Sequence, residues 1–283
     1  MSKLSVMSDD NAQLKGRIKE HWEGEVCGSR YGSDYEGDRR RYFDEIERTR
    51  YEQDYMLRDF AKFETARGKK VLEVGLGTGT DFIQWARNGA EAYGRDLTQA
   101  SVKLVTERLS LEGLHADVAQ GDAEALQFPD NFFDVFYSWG VLMATPNTEK
   151  AIAEAHRVLK PGGSFKIMLY HSRAVATFLV WMVTGPMRFR WISPRAAYFE
   201  NVESPGMKVY SVEEARAMVG RYFTNHPIRI ETVLGSGDLL THKFSQKYQG
   251  KKWEFARAVF PRWFVRHVLG HGFGTVMMIE TVK

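Results

Sequence analysis

Glu73 and the alternating glycines Gly75, Gly77 and Gly79 lie within one short stretch, VLEVGLGTGTD at 71–81, and together could hold a charged small molecule. A glycine-rich turn between a strand and a helix aims backbone N–H groups and the positive helix end at a ligand, and glycine lets that ligand come close to the backbone. Two acids stand at fitting places further on. Asp96 follows about twenty residues later, where a carboxylate can accept both hydroxyls of a ribose. Asp122, in Gly121-Asp122-Ala123, is placed to take the exocyclic amine of an adenine. The chemistry implied is the binding of a nucleoside-bearing cofactor.

Two such cofactors compete for the loop. A dinucleotide fingerprint reads G-x-G-x-x-G, whereas here Thr80 occupies the place of the third glycine and the spacing is G-x-G-x-G. Glu73, two residues before the first glycine, would repel a pyrophosphate but suit a cationic amino-acid headgroup. Asp96 is expected under both readings and does not discriminate.

For a base, the end of the strand at 164–170 offers Tyr170 and His171, because functional groups collect at the carboxyl ends of parallel strands. The competing reading of His171 is that it orders the local backbone or binds substrate. His156 lies on a helix and reads as a packing residue. No metal site is expected.

These residues need a scaffold, and the sequence supplies its outline. Between 71 and 170, short β-rich runs alternate with amphipathic stretches, the pattern of a parallel sheet covered by helices. Strands are expected at 71–75, 91–95, 116–120, 132–137 and 164–170, with helices near 80–88, 98–110 and 148–159. Lys160-Pro161-Gly162-Gly163 should stop the last of these. Ser211-Val212-Glu213-Glu214 has capping-box spacing, and strands are read at 227–233 and 274–282. The chain of 283 residues, 43% hydrophobic and 27% charged with a net charge of +3, reads as one globular α/β domain. That charge does not argue for nucleic acid. One cysteine, Cys27, and the lack of an apolar leader point to the cytosol.

The stretches VLEVGLGTGTD, YGRDLTQAS, GDAEALQFPDNFFDVFYSWGVL and HRVLKPGGSF together resemble the successive motifs of class I S-adenosylmethionine-dependent methyltransferases, in particular the type 11 group. The resemblance is dense over 68–170. It implies a Rossmann-like seven-stranded sheet with helices on both faces and an antiparallel last strand. It also implies S-adenosylmethionine as cofactor, held by Glu73, Gly75, Gly77 and Gly79, by Asp96 with Leu97 at the ribose, by Asp122 with Ala123 at the adenine, and by Ser138 after the fourth strand. Residues 1–67 resemble a helical lid in which Trp22, Tyr31 and Tyr35 would line the pocket. Residues 171–226 would be a substrate-covering insertion and 227–283 the C-terminal strands with a basic aromatic helix. Two departures stand out: relatives carry a histidine pair where this chain reads Gly140-Val141-Leu142-Met143-Ala144-Thr145-Pro146, and Arg95 replaces a small apolar residue.

The acceptor is less legible. The apolar run AVATFLVWMV at 174–183 is too short to span a bilayer, which takes roughly 18 or more residues, and suggests a greasy pocket and hence a hydrophobic metabolite. A hydroxyl or carbon acceptor is favoured, with small-molecule N-methylation as the alternative. The strand-four end DVFYSWG lacks the Asn/Asp-Pro-Pro-Tyr turn of amino-group methylases, which lowers nucleic-acid and protein amide substrates. Segment 241–269 carries seven Lys or Arg against Glu254, with interleaved aromatics; it reads first as an ordinary surface helix with its apolar side packed, and otherwise as a helix that touches a membrane surface or a second subunit in a homo-oligomer. A nicotinamide-dependent oxidoreductase and a non-catalytic cofactor-binding protein complete the alternatives.

Overall fold

The computed structural model describes residues 3–201, 205–235, 238, 251, 254, 255, 258, 261–269 and 271–283. Most of the basic aromatic segment 241–269, including Trp253 and Phe260, lies outside them.

Five parallel strands build the centre: β1 (Lys70–Val74), β2 (Glu91–Asp96), β3 (Asp117–Gln120), β4 (Phe133–Trp139) and β5 (Leu159–His171). Two further strands, β7 (Arg229–Val233) and β8 (Val276–Val282), complete the path β3-β2-β1-β4-β5-β8-β7, and β8 runs antiparallel to both neighbours. This is the expected sheet with one addition. A two-residue strand, β6 (Val209–Tyr210), pairs with the carboxyl end of β5 through Tyr170↔Val209 and His171↔Tyr210.

The near-continuous burial of β1 and β4 reflects cover on both faces. Helices α4 (Thr80–Arg87), α5 (Gln99–Glu112), α6 (Thr148–Val158) and α9 (Val212–Gly220) supply that cover from the crossovers and the segment after β6. Their ends follow the sequence signals. Thr98 Oγ1 accepts Ser101 N, Asn147 Oδ1 accepts Lys150 N, and Ser211 with Glu214 forms the full capping box. The Lys160–Gly163 stretch ends α6 as expected, but it belongs to β5 rather than to a turn before it. The register slips between Phe133 and Val135, and Gly162 N donates to Lys283 O at 2.8 Å. The strand absorbs the proline and glycines as an irregularity at its entry, where proline is tolerated.

The N-terminal region comprises α1 (Lys3–Gly24), a 3-10 segment (Ser29–Tyr35), α2 (Arg39–Gln53) and α3 (Leu57–Ala61). The long first helix has no strong apolar stripe, so its length was not legible in the sequence. Fastening comes from elsewhere. Tyr42, Phe43 and Ile46 of α2 form a small core with Tyr31, Tyr35, Leu104 and Leu111, joining this region to α5. The Glu47 carboxylate accepts Gln84, Arg87 and the fully buried Arg108, tying α2 to α4 and α5.

After β5 come α7 (Val175–Thr184) and α8 (Pro194–Asn201). Most of α7 is half-buried: Thr177 is buried, and Phe178 and Val183 are exposed. Asp238, fully buried, fixes the base of the insertion: its carboxylate accepts Gly235 N, Thr275 N, Thr275 Oγ1 and, at 3.2 Å, Ala176 N.

Candidate active site

The glycine loop leaves β1 at Val74 and enters α4 at Thr80, and Gly75, Gly77 and Gly79 all have positive φ. Space as well as conformation demands glycine here. A Cβ on Gly75 would stand 2.1 Å from Val141 Cγ2, and one on Gly77 would stand 3.2 Å from the Cys27 carbonyl. The loop is therefore closed on one side by the segment after β4 and on the other by the N-terminal region.

Asp96 ends β2 and shapes this loop directly. Its Oδ2 accepts Leu76 N at 2.7 Å and Gly77 N at 3.3 Å, while Oδ1 accepts Thr98 N at 2.9 Å and Thr98 Oγ1 at 2.7 Å. A ribose hydroxyl would share Oδ2 with the long Gly77 contact. Leu97 is half-buried, and its carbonyl accepts Gln120 Nε2 at 2.7 Å. Arg95 is drawn sideways to Asp117 at 2.8 Å and over the Phe128 ring at 4.5 Å, which is how an arginine is accommodated beside Asp96.

Glu73 is buried in β1 and accepts the Trp85 indole N–H at 2.8 Å. Burial first, then the Asp81 charge, push its carboxyl well above the usual range, with the Trp85 bond and Arg50 opposing and Asp96 adding to the rise. Asp81 in the first turn of α4 collects Arg50 Nη2 at 2.8 Å, Tyr137 OH at 3.1 Å and Tyr51 OH at 3.3 Å. Arg50 also holds Asp54 at 2.6 Å. One turn of chain away, Gln53 offers Oε1 to Tyr31 OH at 3.3 Å, and its buried Nε2 has no partner. Arg50, Gln53, Tyr51, Asp81 and Tyr137 were all missed in the sequence. Asp81 directly follows the glycine loop, but nothing in the spacing of α2 shows which of its many charges turns inward.

The acid after β3 is also engaged. Asp122 Oδ1 accepts Glu124 N at 2.9 Å, and Lys15 of α1 reaches Asp122 at 2.6 Å and Glu124 at 2.9 Å. Glu23, nearer the end of α1, accepts Gln99 N and Ala100 N and so caps α5. Ala123 is buried. Ser138, fully buried, spends its hydroxyl on Val74 O at 2.9 Å, leaving only its backbone for a ligand. Trp22 is half-buried, with its ring edge-on to His21. Tyr35 packs beneath the Arg41 guanidinium at 4.4 Å.

At the end of β5, His171 is buried and its Nδ1 lies 3.2 Å from Gly274 O. A carbonyl only accepts, so Nδ1 carries the proton and Nε2 keeps a lone pair. Burial lowers the imidazole pKa and keeps it neutral. Tyr170 meets the Tyr198 ring edge-on, with centroids 6.0 Å apart. Lys208, just before β6, was also missed in the sequence. Its Nζ donates to Thr145 O and Pro146 O of the segment after β4, and burial pushes its pKa down to about 8. His156 packs edge-on against Phe223 at 5.0 Å.

A parallel sheet closed by an antiparallel last strand, with a G-x-G-x-G turn after β1 and acids ending β2 and following β3, is the arrangement that the resemblance to class I methyltransferases implies. Residues 72–167 match the family model described as a methyltransferase domain. Phthiotriol/phenolphthiotriol dimycocerosates methyltransferase of Mycobacterium tuberculosis is 42% identical over 124 residues, 43% of this chain and 45% of that protein. The ubiquinone/menaquinone biosynthesis C-methyltransferase UbiE of Cupriavidus metallidurans is 35% identical over 105 residues, 36% of this chain and 43% of that protein. The matches thus span less than half the length of these curated relatives. Among solved structures, an S-adenosylmethionine-dependent methyltransferase of Thermotoga maritima, described as a possible histamine N-methyltransferase, shares the fold with a TM-score of 0.52 at 18% identity, covering 94% of this chain and 99% of that one.

Proposed function

We propose that this chain binds S-adenosylmethionine at the glycine loop and transfers its methyl group to a hydrophobic small molecule, at oxygen or carbon. The observation that carries the reading is the concentration of acid beside the loop. The Asp81 and Asp96 charges add to the burial that raises the Glu73 carboxyl, and such a site favours a cationic ligand over a pyrophosphate. Gln53 Nε2 and the Arg50 guanidinium add donors nearby. A ligand end that carries both an ammonium and a carboxylate suits this mixed set.

In this reading Glu73 and Asp81 orient the ammonium, Arg50 and Gln53 take the carboxylate, and the loop N–H groups face the amino-acid end. Asp96 with Leu97 would hold the ribose, Asp122 with Ala123 the adenine, and the Ser138 backbone would complete the contacts. Trp22, Tyr31 and Tyr35 would belong to the lid. When bound, the cofactor supplies a methyl group activated by its sulfonium sulfur. The protein's part is then to align the acceptor and exclude water. For a hydroxyl or acidic carbon acceptor, the neutral Nε2 of His171 is the candidate to take the proton, with Tyr170 beside it.

The names of the two curated relatives, a dimycocerosates methyltransferase and a ubiquinone/menaquinone C-methyltransferase, support a lipophilic acceptor, and the second supports carbon as an acceptor atom. Calorimetry with S-adenosylmethionine and with NAD tests the cofactor. Binding of NAD with no response to S-adenosylmethionine would overturn it. Mass spectrometry of reactions with lipophilic and polar acceptor panels tests the substrate class, and methylation confined to polar acceptors would reject the hydrophobic assignment.

A further inference from the structure

The insertion after β5 ends in a turn that carries its apolar side chains outward. Met187, Phe189 and Trp191 are 67%, 93% and 95% exposed, and Phe178 and Val183 on α7 are 52% and 40% exposed. Arg188 and Arg190 alternate with them and are exposed too. From Ala174 to Phe199 the sequence holds no acid.

This tip is a constructed turn. Gly185 N donates to Trp181 O at 2.8 Å, Arg188 N and Arg190 N both donate to Gly185 O, and Phe189 N donates to Pro186 O. The Trp181 indole N–H closes the base on Ile192 O at 2.8 Å. Phe189 sits at φ 54, a left-handed conformation unfavourable to a non-glycine residue. The turn therefore holds in a strained backbone an aromatic ring that is 93% exposed.

A second exposed aromatic surface stands at the root of α7. Val175 at the root of α7 packs on Leu234 and Val265, which seats the helical turn Arg262–Phe264 and its continuation Val265–Leu269 beside the insertion. There Trp263, Phe264 and Val268 are 69%, 46% and 56% exposed.

We propose that the Pro186–Trp191 tip docks on an anionic lipid bilayer. Phe189 and Trp191 would enter the interfacial layer, while Arg188 and Arg190 meet headgroup phosphates. Interleaved cations and aromatic rings in a stretch that has no acid from 174 to 199 complement such a surface. A tip built for the same tip of a second copy would need acids to answer its arginines, and this stretch holds none. The docking is independent of the proposed transfer reaction.

The test is co-sedimentation of the full chain with vesicles of phosphatidylcholine, with and without phosphatidylglycerol, at low and high salt. Binding should require phosphatidylglycerol and weaken with salt. Phe189→Ser with Trp191→Ser should lower the bound fraction about tenfold, and Arg188→Gln with Arg190→Gln should remove the preference for phosphatidylglycerol. Both pairs are surface changes, so the melting temperature and the affinity for S-adenosylmethionine should stay put. Absence of sedimentation with either vesicle, or equal binding by wild type and the Phe189/Trp191 variant, overturns the proposal. So does a dimer by sedimentation velocity that the same variant dissociates, which would assign the face to a second copy.

Discussion

Lys15 Nζ stands 2.6 Å from Asp122 and 2.9 Å from Glu124, so a cation on the N-terminal helix caps the acid pair that follows β3. The contact places α1 over the turn that follows β3. Partly exposed pairs contribute only about 0–1 kcal/mol to stability, so its effect should be on the motion of α1. Lys15→Met should leave the melting temperature nearly unchanged, speed amide exchange in α1, and lower cofactor affinity a few-fold. Unchanged exchange in α1 would show that the helix is held by other contacts, such as Glu23 on the α5 N-terminus.

Asp96 accepts two hydrogen bonds on each oxygen, all from donors. An asparagine cannot reproduce this, because whichever way its amide turns, the NH2 group faces two N–H or O–H donors. Asp96→Asn should cost about 2–4 kcal/mol of stability and loosen the glycine loop. Urea unfolding measures the first, and a variant as stable as wild type would contradict the assigned geometry.

Glu73 is raised well above its ordinary value of 4.5, with burial the leading cause. Its contribution to stability is full below that value and is lost as pH rises through the folded-state pKa. Glu73→Gln keeps an acceptor for the Trp85 N–H and removes the cost of ionisation. The variant should melt no lower than wild type at neutral pH, yet bind S-adenosylmethionine at least about tenfold more weakly. Undiminished binding would remove Glu73 from the cofactor site.

For His171 the sign runs the other way. Burial lowers its folded-state pKa below 6.5, so the associated stability is present above 6.5 and declines as pH falls from there toward the folded value. Melting temperatures between mildly acid and neutral pH should fall less steeply for His171→Gln than for wild type. If His171 also acts as the base, the variant loses the acid limb of the pH–rate profile, whereas a purely structural role leaves that limb intact.

At Gly75, an added methyl group meets Val141 at 2.1 Å on a backbone with φ 83, whereas at Gly162, with φ 80, it meets nothing within 4 Å. Gly162→Ala therefore reports the conformational cost alone, about 1 kcal/mol. Gly75→Ala should cost several times more by chemical denaturation, and Val141→Ala should recover part of the difference. Equal costs at the two positions would mean that Val141 does not close the loop.

The periodicity, glycine spacing and caps of residues 71–170 were enough to place five strands, their crossovers and the glycine turn. These signals are local: burial on both strand faces, helix stop residues and positive φ are each written within a few positions. The same holds for the Ser211 capping box. What the sequence could not show is which long-range partner claims each side chain. Glu73, Asp96 and Asp122 were legible as acids at strand ends, but only the tertiary structure decided that Asp96 is bound up with Leu76 and Thr98, that Asp122 meets Lys15, and that Arg50 reaches Asp81 across 31 residues. It also decided that the apolar run at 174–183 is mostly half-buried, because burial depends on what packs above a helix and not on its own hydropathy. Local chemistry determined the loop and its sheet; the seating of the N-terminal helices, the buried charge cluster and the exposed aromatic tip follow from packing between segments far apart in the chain.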